Sequence, residues 1–472
     1  MIGIHLPYGT TQLAKAILIA APHSGSGKTL ITLGLIRALR NRGLKVASAK
    51  VGPDYIDGRF HEAASGAPCI NLDYWAMGAG ACKARLADIG ADKDLVIIEG
   101  VMGLFDGPDG AKGSTADLAE DLGLPIILVI DAAKQAQSVA AIVHGFSTFR
   151  PALSIAGIIL NRVASDRHAK MLCSSLGVPS TSVFPAKVGI RLQTNESVTK
   201  LDSRLRGNDG KGGVQLFGIV RQSDSLVWPS RHLGLIQAQE NQELESFIES
   251  AASGVSRETF LDKIIESATE ITIQPNASVN LLPPLAQKIA VARDIAFAFA
   301  YPHLLIDWRK QGAELTFFSP LHNETPKGDA IFLPGGYPEL HAAKLSANSL
   351  FLEALREHKG LIYGECGGYM VLGDAIIDAD GKSHAMTGLL PVTTSYASRK
   401  LHLGYRQLIP LNAPWKSNLQ GHEFHYSTIA KQGAADPLFH ASNAGGNDLG
   451  PIGQRVGNVM GSYAHIISAA PT

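Results

Sequence analysis

Cysteine is scarce in these 472 residues: Cys69, Cys82, Cys173 and Cys366 are the only four, and no two stand in C-x-x-C spacing. That excludes a disulfide framework and a thiolate metal site, and it fits a reducing, cytoplasmic setting. Neither sign of charge is in excess, with 42 Lys and Arg against 42 Asp and Glu. Without a basic surplus there is no chain-wide attraction to polyanions, so neither a nucleic acid nor a membrane is expected as a partner. Any anionic ligand must be held locally. No apolar run approaches the ~18 residues of a bilayer span. The opening MIGIHLPYGTTQLAK lacks the charged and then apolar segments of a secretion signal. Charged residues make up 18% against 45% apolar, far from the profile of disorder. What is left is a globular chain, long enough for two or three domains.

From Ala16 short apolar runs alternate with amphipathic stretches: AILIAA (16–21), LKVASAKV (44–51), DLVIIEG (94–100), LPIILVID (124–131) and IAGIILN (155–161). Runs of this kind, bounded by Gly, Pro and Asp, predict buried parallel strands joined by crossover helices, a doubly wound α/β sheet. A second series starts at Lys288 with KIAVARD and continues through AELTFFSP, DAIFLPGG, GLIYGECGG and GNVMGSYAH. It predicts another α/β domain. The expected division is a first domain over 15–245, a helix and proline-rich linker over 246–287, and a second domain over 288–472. The stretch 186–213 is polar, basic and Gly-rich, and reads as a loop insertion. Its LDSRLRGNDG is similar to peptides translated from mobile palindromic repeats.

ILIAAPHSGSGKT (17–29) runs from a strand into a Gly-rich turn, and TLITLGLIRALRNRG follows as an amphipathic helix. In this P-loop layout backbone N–H groups of Ser24, Gly25, Ser26 and Gly27 close around phosphate oxygens. Lys28 reaches the outer phosphates and Thr29 ligates Mg²⁺, so ATP is the expected cosubstrate. The strict pattern would place Gly where Pro22 stands, so this loop is a variant. Two further strands end in carboxylates, Asp54 and Asp57 in KVGPDYIDGRFH, and Glu99 and Asp106 in IIEGVMGLFDG. Carboxyl ends of parallel strands are where ligands bind in such sheets. Thr29, Asp54 and Glu99 are therefore expected to hold Mg²⁺, and Asp57, Asp106 and Tyr55 to position the phosphoryl group or its acceptor. A turn or helix-cap role is the alternative for Asp57 and Asp106.

GLIYGECGGYMVLG places Cys366 after an apolar strand and before Gly367 and Gly368. The layout resembles a nucleophile elbow, whose helix-terminal N–H groups would also favour the thiolate. His465, in GSYAHIIS, is the candidate base. Gly335 and Gly336, in FLPGGYPEL, are suited to supplying oxyanion N–H groups. GHEFHYS (421–427) offers His422, Glu423 and His425. Any of them could orient His465, touch substrate, or serve a purely structural end.

APHSGSGKT, KVGPDYIDGRFH, EGVMGLFDG, RHLGL (231–235), LPGGYPEL, GECGGYM, GHEFHYS and GSYAH, in this order, closely resemble the cobyrinic acid a,c-diamide synthases of corrinoid biosynthesis. The likeness covers about 15–467 apart from the insertion. It implies a dethiobiotin-synthetase-like ATP domain and a class I-type glutamine amidotransferase domain. The implied reaction amidates the a and c acetate side chains of a corrin polycarboxylic acid, with L-glutamine as nitrogen donor. Many class I glutaminases carry a Glu two residues after the catalytic His, whereas Ile466 and Ile467 follow His465 here. A dyad or another orienting group is therefore implied. Two rivals stay open: the same chemistry on another tetrapyrrole acid, as in cobyric acid synthase, and a non-enzymatic partition or scaffold ATPase. The latter group carries a signature lysine where this chain has His23. A homodimer is compatible with all of this, and the sequence leaves the oligomeric state open.

Overall fold

The computed structural model describes residues 14–178, 214–223, 230–231, 234–235, 237–240, 243–271, 279 and 281–471. The expected insertion 186–213, part of RHLGL, and residues 272–278 and 280 of the proline-rich stretch lie outside the described residues. The chain divides into two compact units. The first comprises 1–74, 79–106 and 114–278, and the second 75–78, 107–113 and 279–472.

In the first unit, β1 (Lys15–Ala20), α1 (Lys28–Asn41), β2 (Val46–Val51), α2 (Asp57–Ser65), β3 (Cys69–Leu72), α3 (Tyr74–Gly90) and β4 (Leu95–Glu99) come first. They are followed by α4 (Thr115–Leu122), β5 (Ile126–Asp131), α5 (Val139–Thr148), β6 (Ile155–Val163), α6 (Asp166–Ser175) and β7 (Gln215–Arg221). The strands line up β3-β2-β4-β1-β5-β6-β7, each parallel to its neighbours. Every residue of β2 and β4 is buried, as strands covered on both faces must be, and this is why they read as apolar runs rather than alternating ones. The chain works outward from β1 to β2 and β3, returns at β4, and crosses to β5 on the far side of β1. The carboxyl end of β1 therefore opens at a topological switch point, the place where open α/β sheets bind ligands.

The segment expected as helix and linker, 246–287, divides differently. Its first part forms α7 (Leu244–Glu258) and α8 (Leu261–Ser267), and then a two-residue strand, Thr269–Glu270, antiparallel to β1. All of it belongs to the first unit. The reason is packing: α7 lies so close to α1 that a Cβ on Gly34 would stand 2.6 Å from Val255 and 2.8 Å from the Ala251 carbonyl. Arg37 of α1 also reaches Glu249 of α7 at 2.6 Å.

The second unit starts with β8 (Lys288–Ala292), α9 (Pro302–Lys310), β9 (Glu314–Phe318), β10 (Ala330–Leu333), α10 (Ala342–Ala347) and α11 (Ser349–Glu357). Next come β11 (Leu361–Glu365), α12 (Gly367–Leu372), β12 (His402–Pro410), β13 (Leu419–His425), β14 (Val459–Ser462) and β15 (His465–Ala469), with short strands between them. One sheet runs β9-β8-β10-β11-β14 in parallel and ends on an antiparallel Gln454–Val456. A second, antiparallel sheet contains β12-β13-β15. Phe351, Leu355, Ile362 and Met370 are among the fully buried residues of this core, and each such side chain contributes about 1.5–3 kcal/mol by leaving water. Among the described residues no helix is long and apolar enough to cross a membrane.

Candidate functional site

The turn after β1 depends on backbone shapes that only glycine adopts cheaply. Gly25 and Gly27 have φ of 81° and 90°. A Cβ on Gly27 would also lie 2.1 Å from Asn161 Nδ2. Asn161 ends the apolar part of β6 and donates to the Ser26 carbonyl at 3.0 Å, pinning the loop. Ser26 itself faces inward, its buried hydroxyl donating to the His23 carbonyl at 2.8 Å. Lys28 opens α1 and donates from Nζ to the Met102 carbonyl at 2.6 Å, while burial pulls its pKa down.

Thr29 Oγ1 donates to Glu99 Oε1 at 2.7 Å and lies 3.3 Å from Asp57 Oδ2. The buried Lys50 ammonium stands among three carboxylates, 2.8 Å from Asp57, 3.0 Å from Glu99 and 3.7 Å from Asp54. His61 Nε2 sits 2.8 Å from the other Glu99 oxygen. Burial alone would raise the Glu99 carboxyl, but Lys50 and His61 hold it well below the usual range. Burial and the neighbouring Asp54 push Asp57 up to about 6. Ser24, Gly25, Gly27, Lys28, Thr29, Lys50, Asp54, Asp57 and Glu99 line one cavity of about 680 Å³.

Three expected residues make further contacts or stand apart from the cavity. Asp54 Oδ1 accepts from Ile56 N and Asp57 N at 2.9 and 3.0 Å, tying down the start of α2 while its other oxygen faces Lys50. Asp106 closes a turn by accepting from Gly103 N at 2.9 Å and does not line the cavity. Tyr55 is half-buried beside Asp54 and is not in the lining either. Lys50 and His61 were not singled out from the sequence. A charge inside a strand buried on both faces was the available signal for Lys50.

The second unit builds a different centre. β11 ends on Glu365, and Cys366 has φ 45° and ψ −102°, a conformation that costs a non-glycine residue about 1–3 kcal/mol. Its neighbours hold it there: Cys366 N donates to the Ser462 carbonyl at 2.8 Å, and a Cβ on Gly368 would stand 1.9 Å from the Leu333 carbonyl. This is the sharp strand-to-helix turn that a nucleophile elbow requires. Gly335, just past β10, meets both other parts of the centre. A Cβ there would lie 2.3 Å from His465 Cε1, 3.1 Å from His465 Nε2 and 3.3 Å from Cys366 Cβ. Gly336 N is close behind, 3.1 Å from where a Gly367 Cβ would be.

The thiol departs from expectation. A backbone N–H from Gly367 favours the thiolate, but burial and the carboxylates of Glu339 and Glu423 outweigh it and push the thiol up. Burial, with His422 and His425 nearby, pulls His465 down to about 3. Resting thiol and imidazole are therefore both neutral. Of the GHEFHYS cluster, Glu423 faces Arg406 at 2.6 Å and His425 at 3.1 Å, and His422 is the cross-strand partner of His465. The carboxylate beside His465 Nδ1 is Glu365, whose Oε2 is 3.7 Å away. Sequence reasoning passed over Glu365, although a carboxylate closing an apolar strand carries the same signal as Lys50.

Known proteins match both halves. Residues 17–197 fit the family model described as the CobQ/CobB/MinD/ParA nucleotide binding domain, and 288–472 fit the CobB/CobQ-like glutamine amidotransferase domain. The hydrogenobyrinate a,c-diamide synthase of Rhizobium meliloti (strain 1021) is 48% identical over 459 residues, covering 96% of this chain and 99% of its own. That of Sinorhizobium sp is 47% identical over 463 residues (97% and 99%), and that of Mesorhizobium japonicum 41% over 469 residues (97% and 99%). A solved crystal structure of a glutamine amidotransferase aligns with 33% of this chain and 80% of its own, at 16% identity and a TM-score of 0.24.

Proposed function

The chain belongs to the hydrogenobyrinate a,c-diamide synthase family, glutamine-dependent amide-forming ligases of corrinoid biosynthesis, and we propose that its two centres divide that reaction between activation and nitrogen supply. The substrate is hydrogenobyrinate, the acid for which the relatives are named, and it is amidated at its a and c acetates with ATP and L-glutamine.

A carboxylate resists attack by an amine because its charge repels the nucleophile and oxide is a poor leaving group. Transfer of the γ-phosphoryl group of ATP gives an acyl phosphate, whose leaving group is phosphate. Catalysis of that step is mostly positioning and charge neutralisation. The N–H groups of 24–27 hold the phosphates, Lys28 exchanges the Met102 carbonyl for phosphate oxygen, and Lys50 faces the transferring group.

The donor set also fits Mg²⁺. Thr29 and Glu99 lie 2.7 Å apart with Asp57 and Asp54 beside them, and hydroxyl and carboxylate oxygens are the ligands a hard cation takes. Among the described residues no three His, Cys, Asp or Glu form a metal cage, as suits an ion that keeps waters and phosphate oxygens in its shell. When bound, the ion would neutralise phosphate charge.

In the second unit Cys366 gives its proton to His465 and its sulfur bonds to the glutamine amide carbon. Gly335 and Gly336 N–H groups face the oxyanion. His465 returns the proton to the departing nitrogen, releasing ammonia, and water then frees glutamate from the thioester. Ammonia made in this way is captured by the acyl phosphate before water protonates it. The observation that carries this reading is the meeting of Cys366 and His465, remote in sequence, around Gly335.

Mass spectrometry of the products tests it. With ATP, glutamine and either hydrogenobyrinate or its cobalt-containing counterpart, two amides on the metal-free acid are expected. Four amides added to the a,c-diamide instead would make the chain a cobyric acid synthase in activity.

A further inference from the structure

Glu365 stands next to the nucleophile in sequence and next to the base in space. It is 1% exposed, its Oε1 accepts the Ile466 N–H at 3.1 Å, and its Oε2 lies 3.7 Å from His465 Nδ1. The Cε1–Nε2 edge of the ring abuts Gly335, whose missing side chain also faces Cys366 Cβ. Nδ1 thus faces the carboxyl, while Nε2 lies toward the glycine that Cys366 also borders. The other titratable groups around the ring come from β13: His422 and His425 oppose its protonation and Glu423 favours it. Glu423 is already engaged by Arg406 and His425.

We propose that Glu365 is the positioning residue of the glutaminase centre, holding His465 with its proton on Nδ1 and steadying the imidazolium formed when Cys366 attacks. This rests on the reading of Cys366 and His465 as the glutamine-hydrolysing pair. The usual place for such a carboxylate, two residues past the histidine, is filled by Ile467, so the supporting group comes from the strand that carries the nucleophile instead. Glu365 forms and breaks no covalent bond. The thiol proton passes to Nε2 as the C–S bond forms, then to nitrogen as the C–N bond breaks. Through both steps the carboxylate accepts from Nδ1–H. A separation of 3.7 Å is too long for a hydrogen bond at rest. Such contacts commonly tighten only once substrate is bound and charge develops. Burial raises the Glu365 carboxyl to about 8, so the ionised form that accepts from Nδ1–H is the minor one at rest and is drawn out by the positive charge arriving on the ring.

Steady-state kinetics of the full chain with ATP and the corrin acid, run with glutamine and separately with ammonium, decide the matter. Glu365→Gln keeps size and polarity but loses the charge. It is expected to lower glutamine-driven kcat by about 10²-fold or more, by analogy with neutralising a triad carboxylate. KM for glutamine should stay within threefold and ammonium-driven turnover should be unchanged. Glu365→Asp should recover at least tenfold of the loss. Glutamine-driven kcat within threefold of wild type in Glu365→Gln would overturn the proposal. So would equal loss with glutamine and ammonium in both variants, the mark of a purely structural role. Cys366→Ala separates the two ideas: if it still uses glutamine, the reading of the pair fails, whereas if it does not and Glu365→Gln does, only the role of Glu365 fails.

Discussion

At the scale of single residues, the second centre is built around space that one glycine leaves empty. Gly335 is wedged between the imidazole of His465 and the Cβ of Cys366, so any side chain there must displace one of them. Gly335→Ala puts a methyl where His465 Cε1 stands at 2.3 Å. A misplacement of about 1 Å costs on the order of 10²-fold in rate. Glutamine-driven kcat should fall by about that factor in steady-state assays, while ammonium-driven activity, which needs no thiol, should be kept. Cys366 itself shows what spacing could not tell. The elbow was legible in G-E-C-G-G, because a strand entering a glycine-flanked turn has few shapes available. The state of the thiol was not, because it depends on how deeply the sulfur is buried and on Glu339 and Glu423, which are distant in sequence.

At the scale of elements, the pairing of β12 with β13 brings Arg406 and Glu423 into a partly buried ion pair, with His425 on the other carboxylate oxygen. Burial disfavours the Glu423 charge, but His425 and Arg406 more than compensate and hold its carboxyl well below the ordinary 4.5. A carboxylate whose folded pKa is depressed contributes stability above its unfolded pKa and loses it as pH falls toward the folded value. Glu423→Gln leaves the partly buried Arg406 without its counter-charge, a loss of about 1–3 kcal/mol for a charged hydrogen bond left unmade. In thermal unfolding the variant should therefore melt below wild type at pH 7, with the gap narrowing as pH drops below about 4.5. The strands of both parallel sheets were readable as apolar runs, since burial on two faces leaves little choice of residue. The place of α7 was not, because its amphipathic pattern shows that it packs without showing on what, and Gly34 and Arg37 supply the answer.

At the scale of the whole molecule, the two units are expected to depend on each other unequally. Ammonia can be supplied from solution and an acyl phosphate cannot. Lys28→Ala should therefore lower amidation by about 10²-fold or more with either nitrogen source, the scale of losing one preorganised electrostatic donor. Cys366→Ala should abolish only the glutamine-driven reaction, and comparing both variants in both assays checks this asymmetry. Sequence alone determined the α/β class, the two domain families and the loops on which the two proposed centres stand. Phosphate loops and nucleophile elbows are local structures, written in consecutive residues whose spacing carries their geometry. Only the tertiary structure decided that Lys50 stands among three carboxylates, that Asp106 closes a turn, and that Glu365 rather than the 422–425 cluster faces His465 Nδ1. These are matters of which distant groups share a low-dielectric interior, and the electrostatics there follow distance and burial, neither of which is written along the chain.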